Sequence, residues 1–191
     1  MSVQLSPHKF TVDDYGKMAE IGVLKAGDRV ELIRGEIIEM SPIGTRHAAT
    51  VARLINLFIN RLGNRAIAWP QNSIQLGNNS QPQPDVTLLQ PRDDFYATQH
   101  PQPQDIFLLV EVADTTLEGD RTIKIPLYAE HHIPEVWLVN LPENCLQVYR
   151  QPTATGYQII SQFYPGDTLS LQTFPDITIN VNQILGTPPG V

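Results

Sequence analysis

DIFLLVEVADTTLEGDRTIKIPLYAEHHIPEVWLVN, residues 105–140, sets two apolar runs of strand length on either side of a segment with helical spacing at Ile123, Leu127 and His131. Strand, helix, strand is the pattern of a crossover between neighbouring strands, which predicts a mixed sheet with helices on its flanks. Pro126 falls inside the helical part and predicts either a kink or the first turn of a shorter helix. Within the first run, Glu111 stands in an otherwise apolar strand. A carboxylate buried there costs several kcal/mol unless it is paired, hydrogen-bonded or metal-bound, so it needs partners.

Upstream, TVDDYGKMAEIGVL places Thr11 as an N-cap for a short helix, with Asp14 three positions on. RVELIRGEIIEM reads as a hairpin about Arg34-Gly35, with Glu36, Ile38 and Met40 on one face. From Thr45 to Leu62 the positions Val51, Leu54, Ile55, Phe58, Ile59 and Leu62 form a helical stripe, with Gly63 as its C-cap. His47 lies four residues before Val51 and shares that inward stripe. Further strands are expected at AIAWPQNSIQL, PDVTLL, CLQVYRQ and YQIISQFY, and GTPPGV reads as a frayed end.

The 191 residues, 41% apolar and 17% charged, suit one domain spanning 1–191. There is no signal-peptide pattern and no apolar run of about 18 residues, so the expectation is a cytoplasmic chain without a membrane span. Cys145 is the lone cysteine, which excludes an intrachain disulfide and a cysteine-based zinc cage. A net charge of −7, with 13 Lys and Arg, argues against broad adhesion to nucleic acid, yet suits a carboxylate site neutralised by a bound cation.

Alternation puts Asp85, Thr87 and Leu89 on one face of PDVTLL, and Phe107, Leu109, Glu111 and Ala113 on one face of DIFLLVEV. If these strands are neighbours, about 4.8 Å apart, both carboxylates can hold one divalent cation at about 2.1 Å. Hard oxygen ligands favour Mg²⁺ or Mn²⁺ over zinc. Lys124 follows Glu111 closely enough for a helix to return it over the strand end, where an ammonium orients a water or stabilises phosphoryl charge. Two carboxylates, a metal and a lysine are equipment for phosphodiester hydrolysis. Singly, Asp85 reads as a strand-start residue, Lys124 as a solvated helix residue, His47 as a satisfied histidine and Glu36 as an exposed hairpin residue. Asp120 reads as an N-cap, and His131-His132 as a helix C-terminus.

Taken in order, ELIRGEIIEMSP, Arg46-His47, QPDVTLL and LLVEVADTTLEGDRTIKIPLYAEHHIPEVWLVN resemble the Uma2 (DUF820) family of the PD-(D/E)XK restriction-endonuclease-like superfamily. The resemblance implies a restriction-endonuclease-like central mixed β-sheet flanked by α-helices, often dimeric, and a metal-dependent DNA endonuclease using one Mg²⁺ or Mn²⁺. It implies that Asp85 is the aspartate of the P-D motif, Glu111 the acidic residue of the (D/E)XK strand, Glu36 an additional glutamate and His47 the histidine opening the first core helix. The backbone carbonyl of Val112 would complete the metal shell. Ala113 occupies the position of the motif lysine, and Lys124 is the candidate replacement. Two other readings stand beside this one: a nuclease-like module that binds nucleic acid or protein without cleaving, and a Glu111 that is merely paired with Lys124 or His47.

Overall fold

The computed structural model of the chain describes residues 7–25 and 27–186. Of the expected frayed end, 187–191 lie outside them. At the centre is a six-stranded sheet in the order β3-β4-β5-β6-β7-β8. It comprises β3 (Ile67–Pro70), β4 (Val86–Leu89), β5 (Ile106–Ala113), β6 (Glu135–Asn140), β7 (Cys145–Thr153) and β8 (Gly156–Phe163). β5 and β6 are parallel, and the other neighbours are antiparallel. The expected mixed α/β architecture and its crossover are therefore present. The candidate strand AIAWPQNSIQL is cut short at Pro70, where Gln71 takes a φ of 48° and turns the chain away.

Each face of the sheet is covered by helix because successive strand residues point to opposite sides. On one face α2 (Thr45–Leu62) packs Val51, Leu54 and Phe58 against Val110, Val112, Trp137 and Val148. The buried side of α2 also takes Leu57, while Ile59, assigned to the stripe from spacing, is 58% exposed. On the other face Leu127 and Tyr128 meet Leu109, Val136 and Leu138. These belong to a helical segment built from α3 (Leu117–Gly119), a π turn (Asp120–Lys124) and α4 (Ile125–Glu130). Pro126 sits at the start of α4, directly after the π turn. A proline ring clashes with the carbonyl four residues back in an α-helix, and the wider π turn relieves that clash.

Two further pieces frame the sheet. β1 (Val30–Ile33) and β2 (Glu36–Glu39) form the expected hairpin. Arg34 and Gly35 both have positive φ, 50° and 79°, the backbone of a tight two-residue turn. A side chain at Gly35 would meet the Lys9 Cβ at 2.8 Å. This hairpin is pinned beside the sheet by Gln81 N–H donating to Leu32 O at 2.7 Å and Gly35 N–H donating to Asn79 O at 2.7 Å. The first helix, α1 (Val12–Glu20), has the expected Thr11 cap, reciprocated by Asp14. β9 (Thr168–Ser170) and β10 (Thr178–Asn180), with α5 (Asn182–Leu185), close the α2 side. Among the described residues no helix is long and apolar enough to cross a membrane.

Candidate functional site

The β4–β5 register pairs Val86 with Val110 and Thr87 with Leu109, so Asp85 extends β4 to the level of Glu111. The Val112 N–H donates to Asp85 Oδ2 at 2.8 Å, which fixes that carboxylate on the end of β5. His47, in the first turn of α2, puts Nε2 within 3.0 Å of both Asp85 oxygens. That hydrogen bond raises the His47 pKa above its ordinary value, and burial only partly opposes it. The other ring nitrogen, Nδ1, is buried without a partner.

Lys124 reaches the same place from the opposite face of the sheet. Its Nζ lies 3.2 Å from Glu31 Oε1, 3.3 Å from Glu111 Oε1 and 4.0 Å from Asp120 Oδ1. Asp120 and Lys124 face one another because the π turn holds both inward. Burial alone would strip the charge from this ammonium, but Glu111, Glu31 and Asp120 together outweigh it and raise the pKa. Lys124 is thus held as the cation of an ion-pair cluster rather than as a proton acceptor.

Glu111 is 2% exposed. Burial pushes its carboxyl well above the usual carboxylate range; Lys124 pulls the other way, and Asp120, Asp85 and Glu31 add to the rise. Its Oε1 also accepts from the hydroxyl of Tyr128, a wholly buried phenol one helical turn beyond Lys124. Burial raises the Asp120 carboxyl as well.

Of the residues expected from sequence, Asp85, Glu111, Val112, Lys124 and His47 line one cavity of about 380 Å³. Glu36 does not join them. It stands 58% exposed on the outer hairpin strand and pairs with Lys9. The hairpin contributes Glu31 instead, whose Oε2 accepts from the Gln83 N–H at 3.1 Å. Asp120 is not an N-cap either: it lies inside the helical segment, accepts from Thr116 Oγ1 at 2.6 Å and faces Lys124. Glu31 could have been flagged by the test that singled out Glu111. VELI embeds Glu31 in an apolar strand just as LLVEV embeds Glu111. Tyr128 falls four residues after Lys124, on the same helical side.

Glu31, Glu111 and Asp120 face a single lysine, with Asp85 beside them, so full ionisation would leave the cluster with more negative than positive charge in a place where burial penalises it. Among the described residues no three His, Cys, Asp or Glu side chains group tightly enough to form a closed metal cage. One or two carboxylates with water filling the rest is the arrangement that hard octahedral ions accept. The donor set here fits that chemistry.

Comparison with known proteins adds an independent line. The profile of Uma2, described as "Putative restriction endonuclease", matches residues 12–182. A solved structure with the same fold is that of a "putative nuclease belonging to DUF820 from Anabaena variabilis ATCC 29413", 17% identical, with a TM-score of 0.73 over 92% of this chain and 97% of that one. No curated protein matches the sequence.

Proposed function

The chain belongs to the Uma2 family, and from that premise we propose that it is a divalent-metal-dependent deoxyribonuclease. The observation that carries the reading is the convergence of Asp85 and Glu111, from adjacent strands, with Lys124 in one cavity. Asp85, Glu111 and the Val112 carbonyl would hold one Mg²⁺ or Mn²⁺. In an extended strand the N–H and C=O of one residue point the same way. Because the Val112 N–H faces Asp85, its carbonyl faces the same side. The ion would supply an activated water and polarise the phosphodiester.

The chain's own residues do the rest. Tyr128 donates to Glu111 Oε1 and the Lys124 ammonium pairs with the same oxygen at 3.3 Å, which leaves Oε2 for other partners. Lys124 keeps its charge and offers protons to an incoming phosphoryl oxygen or water, the role the motif lysine would have had at Ala113. His47 and the Val112 N–H orient Asp85 from two directions.

Purified protein with Mg²⁺ or Mn²⁺ is expected to cut DNA, and chelation or Asp85→Ala to abolish the cut. Equal cleavage by the Asp85→Ala variant would sink the mechanism. The missing lysine at Ala113 favours a second reading, a nuclease-like module that binds nucleic acid without turnover. DNA retention with no metal-dependent products would select it.

The homodimer implied by the family resemblance has a suitable seam in β8. Among the described residues no strand pairs on its outer side. Its sequence, GYQIISQF, carries no charge and no proline, the usual guards of an exposed edge, and Ile160 is 61% exposed. In an antiparallel pair facing residues share a sheet face, so a two-fold axis at this edge passes midway between one residue and its own copy, and Ile160 is a self-complementary choice for that residue. Light scattering is expected to give twice the chain mass, falling to one chain in Ile160→Lys. A dimer unaffected by that substitution would place the seam elsewhere.

A further inference from the structure

The carboxylate cavity has a second character that hydrolysis does not use. Ile38, Ile43 and Ile123 are 36%, 41% and 44% exposed, and all three, with Met40, line its walls. They come from three separate segments: the hairpin strand β2, the loop before α2 and the π turn. Exposed aliphatic side chains are ordinary when scattered, but a convergent set beside a polar site marks a surface for an apolar ligand group.

The charge at the mouth is the second observation. Glu39, Asp114 and Glu118 line it with Arg29, while His47 is held by Asp85, Arg46 lies 4.0 Å from Asp114, and Lys124 is committed to Glu31 and Glu111. Continuous duplex DNA is held chiefly by several Lys or Arg contacts to both backbones, and this rim does not provide them. A volume of about 380 Å³ is of the size that takes a single small organic group. Apolar side chains, isoleucine included, contact base faces once a base has left its stack, and unstacking costs least where the base is unpaired.

We propose that the Ile38, Ile43 and Ile123 wall takes an unstacked nucleobase, so that the preferred substrate is unpaired DNA: a single strand, a loop or a frayed end. This rests on the phosphodiester reading of the adjoining carboxylates, since it is the backbone next to the held base that would enter their reach. Ile43 acts by contact with the base and Asp85 by contact with the metal, so the two roles separate experimentally.

The test uses full-length protein in magnesium buffer and a 12-residue oligodeoxynucleotide with a central 2-aminopurine, offered single-stranded or fully paired. Binding is read by anisotropy, unstacking by 2-aminopurine emission, and cleavage on a gel. The single strand should bind at least about tenfold more tightly than the duplex. Its emission should change on binding, and Ile43→Asp should lose roughly tenfold in affinity. Ile43 lies in an exposed loop, so its substitution leaves the core intact. Duplex binding as tight as single-strand binding, no binding of either, or unchanged affinity in Ile43→Asp overturns the inference. Selective binding without cleavage overturns the hydrolase reading while upholding the base pocket; equal cleavage of both forms does the reverse.

Discussion

Glu111→Gln is expected to lower turnover by roughly 10³-fold or more, as loss of an essential catalytic group does, while making the metal-free protein more stable. The two effects have one cause. Glu111 is fully enclosed, and its carboxyl is held well above the usual range by burial, with Asp120, Asp85 and Glu31 adding to the rise against Lys124. A group whose folded pKa is raised contributes fully below its unfolded value, near 4.5, and loses that contribution as pH climbs through the folded value. Wild-type stability in chelator should therefore fall as pH rises above the ordinary carboxylate range. Glutamine mimics the protonated side chain: its Oε1 can still accept from Tyr128 and face Lys124.

Thermal melts in chelator at pH 8 should show the variant a few degrees above wild type, 1 kcal/mol being worth about 2–4 °C in a chain of this size. At pH 4 the two should coincide. Magnesium should raise the wild-type melting temperature, because binding to the folded state stabilises it, and should not move the variant. A variant that melts below wild type at both pH values would show that the ionised Glu111–Lys124 pair stabilises the fold.

Lys124→Met should have the opposite sign. Methionine fills the space of the aliphatic stem but leaves Glu31, Glu111 and Asp120 facing one another without their shared cation. Removing one partner of a buried ion pair typically costs 3–5 kcal/mol. The low end, about 3 kcal/mol, is expected because Glu111 can take up a proton, which corresponds to a melting temperature lower by roughly 6–12 °C. Since the folded state raises the Lys124 pKa, its contribution is complete below pH 10.5 and wanes only above it. The deficit should thus persist across neutral pH.

Adding Glu111→Gln to Lys124→Met should recover part of the loss, the coupling that a double-mutant cycle reads for residues in contact. Strict additivity would mean that the two groups do not sense each other. Activity should fall in Lys124→Met without recovery in the double variant, since neither the ammonium nor the carboxylate is restored.

The alternation of PDVTLL and DIFLLVEV placed Asp85 and Glu111 each on a definite face of its own strand, because strand periodicity fixes sidedness within a strand, and the β4–β5 register made those faces one. The apolar runs around the 105–140 crossover likewise specify two buried parallel strands, since both faces of β5 and β6 are covered by helix. Spacing in α2 located a buried side but not its width. Ile59 reads as inward by period and is exposed because the α2 interface is centred on Val51, Leu54 and Phe58.

The glutamate of the hairpin was not decided by sequence. Glu31 and Glu36 both fit a strand, and alternation says nothing about which one meets β4 and β5. The Gln81–Leu32 and Gly35–Asn79 hydrogen bonds dock the inner strand and choose Glu31. The same holds for Asp120, whose inward direction depends on a π turn, a backbone choice with little local signal. Sequence by itself thus determined the crossover and the buried acid within its first strand. Only tertiary structure decided which carboxylates meet Lys124 and that the lysine stays charged, because charge in a closed site depends on every group that enters it from elsewhere in the chain.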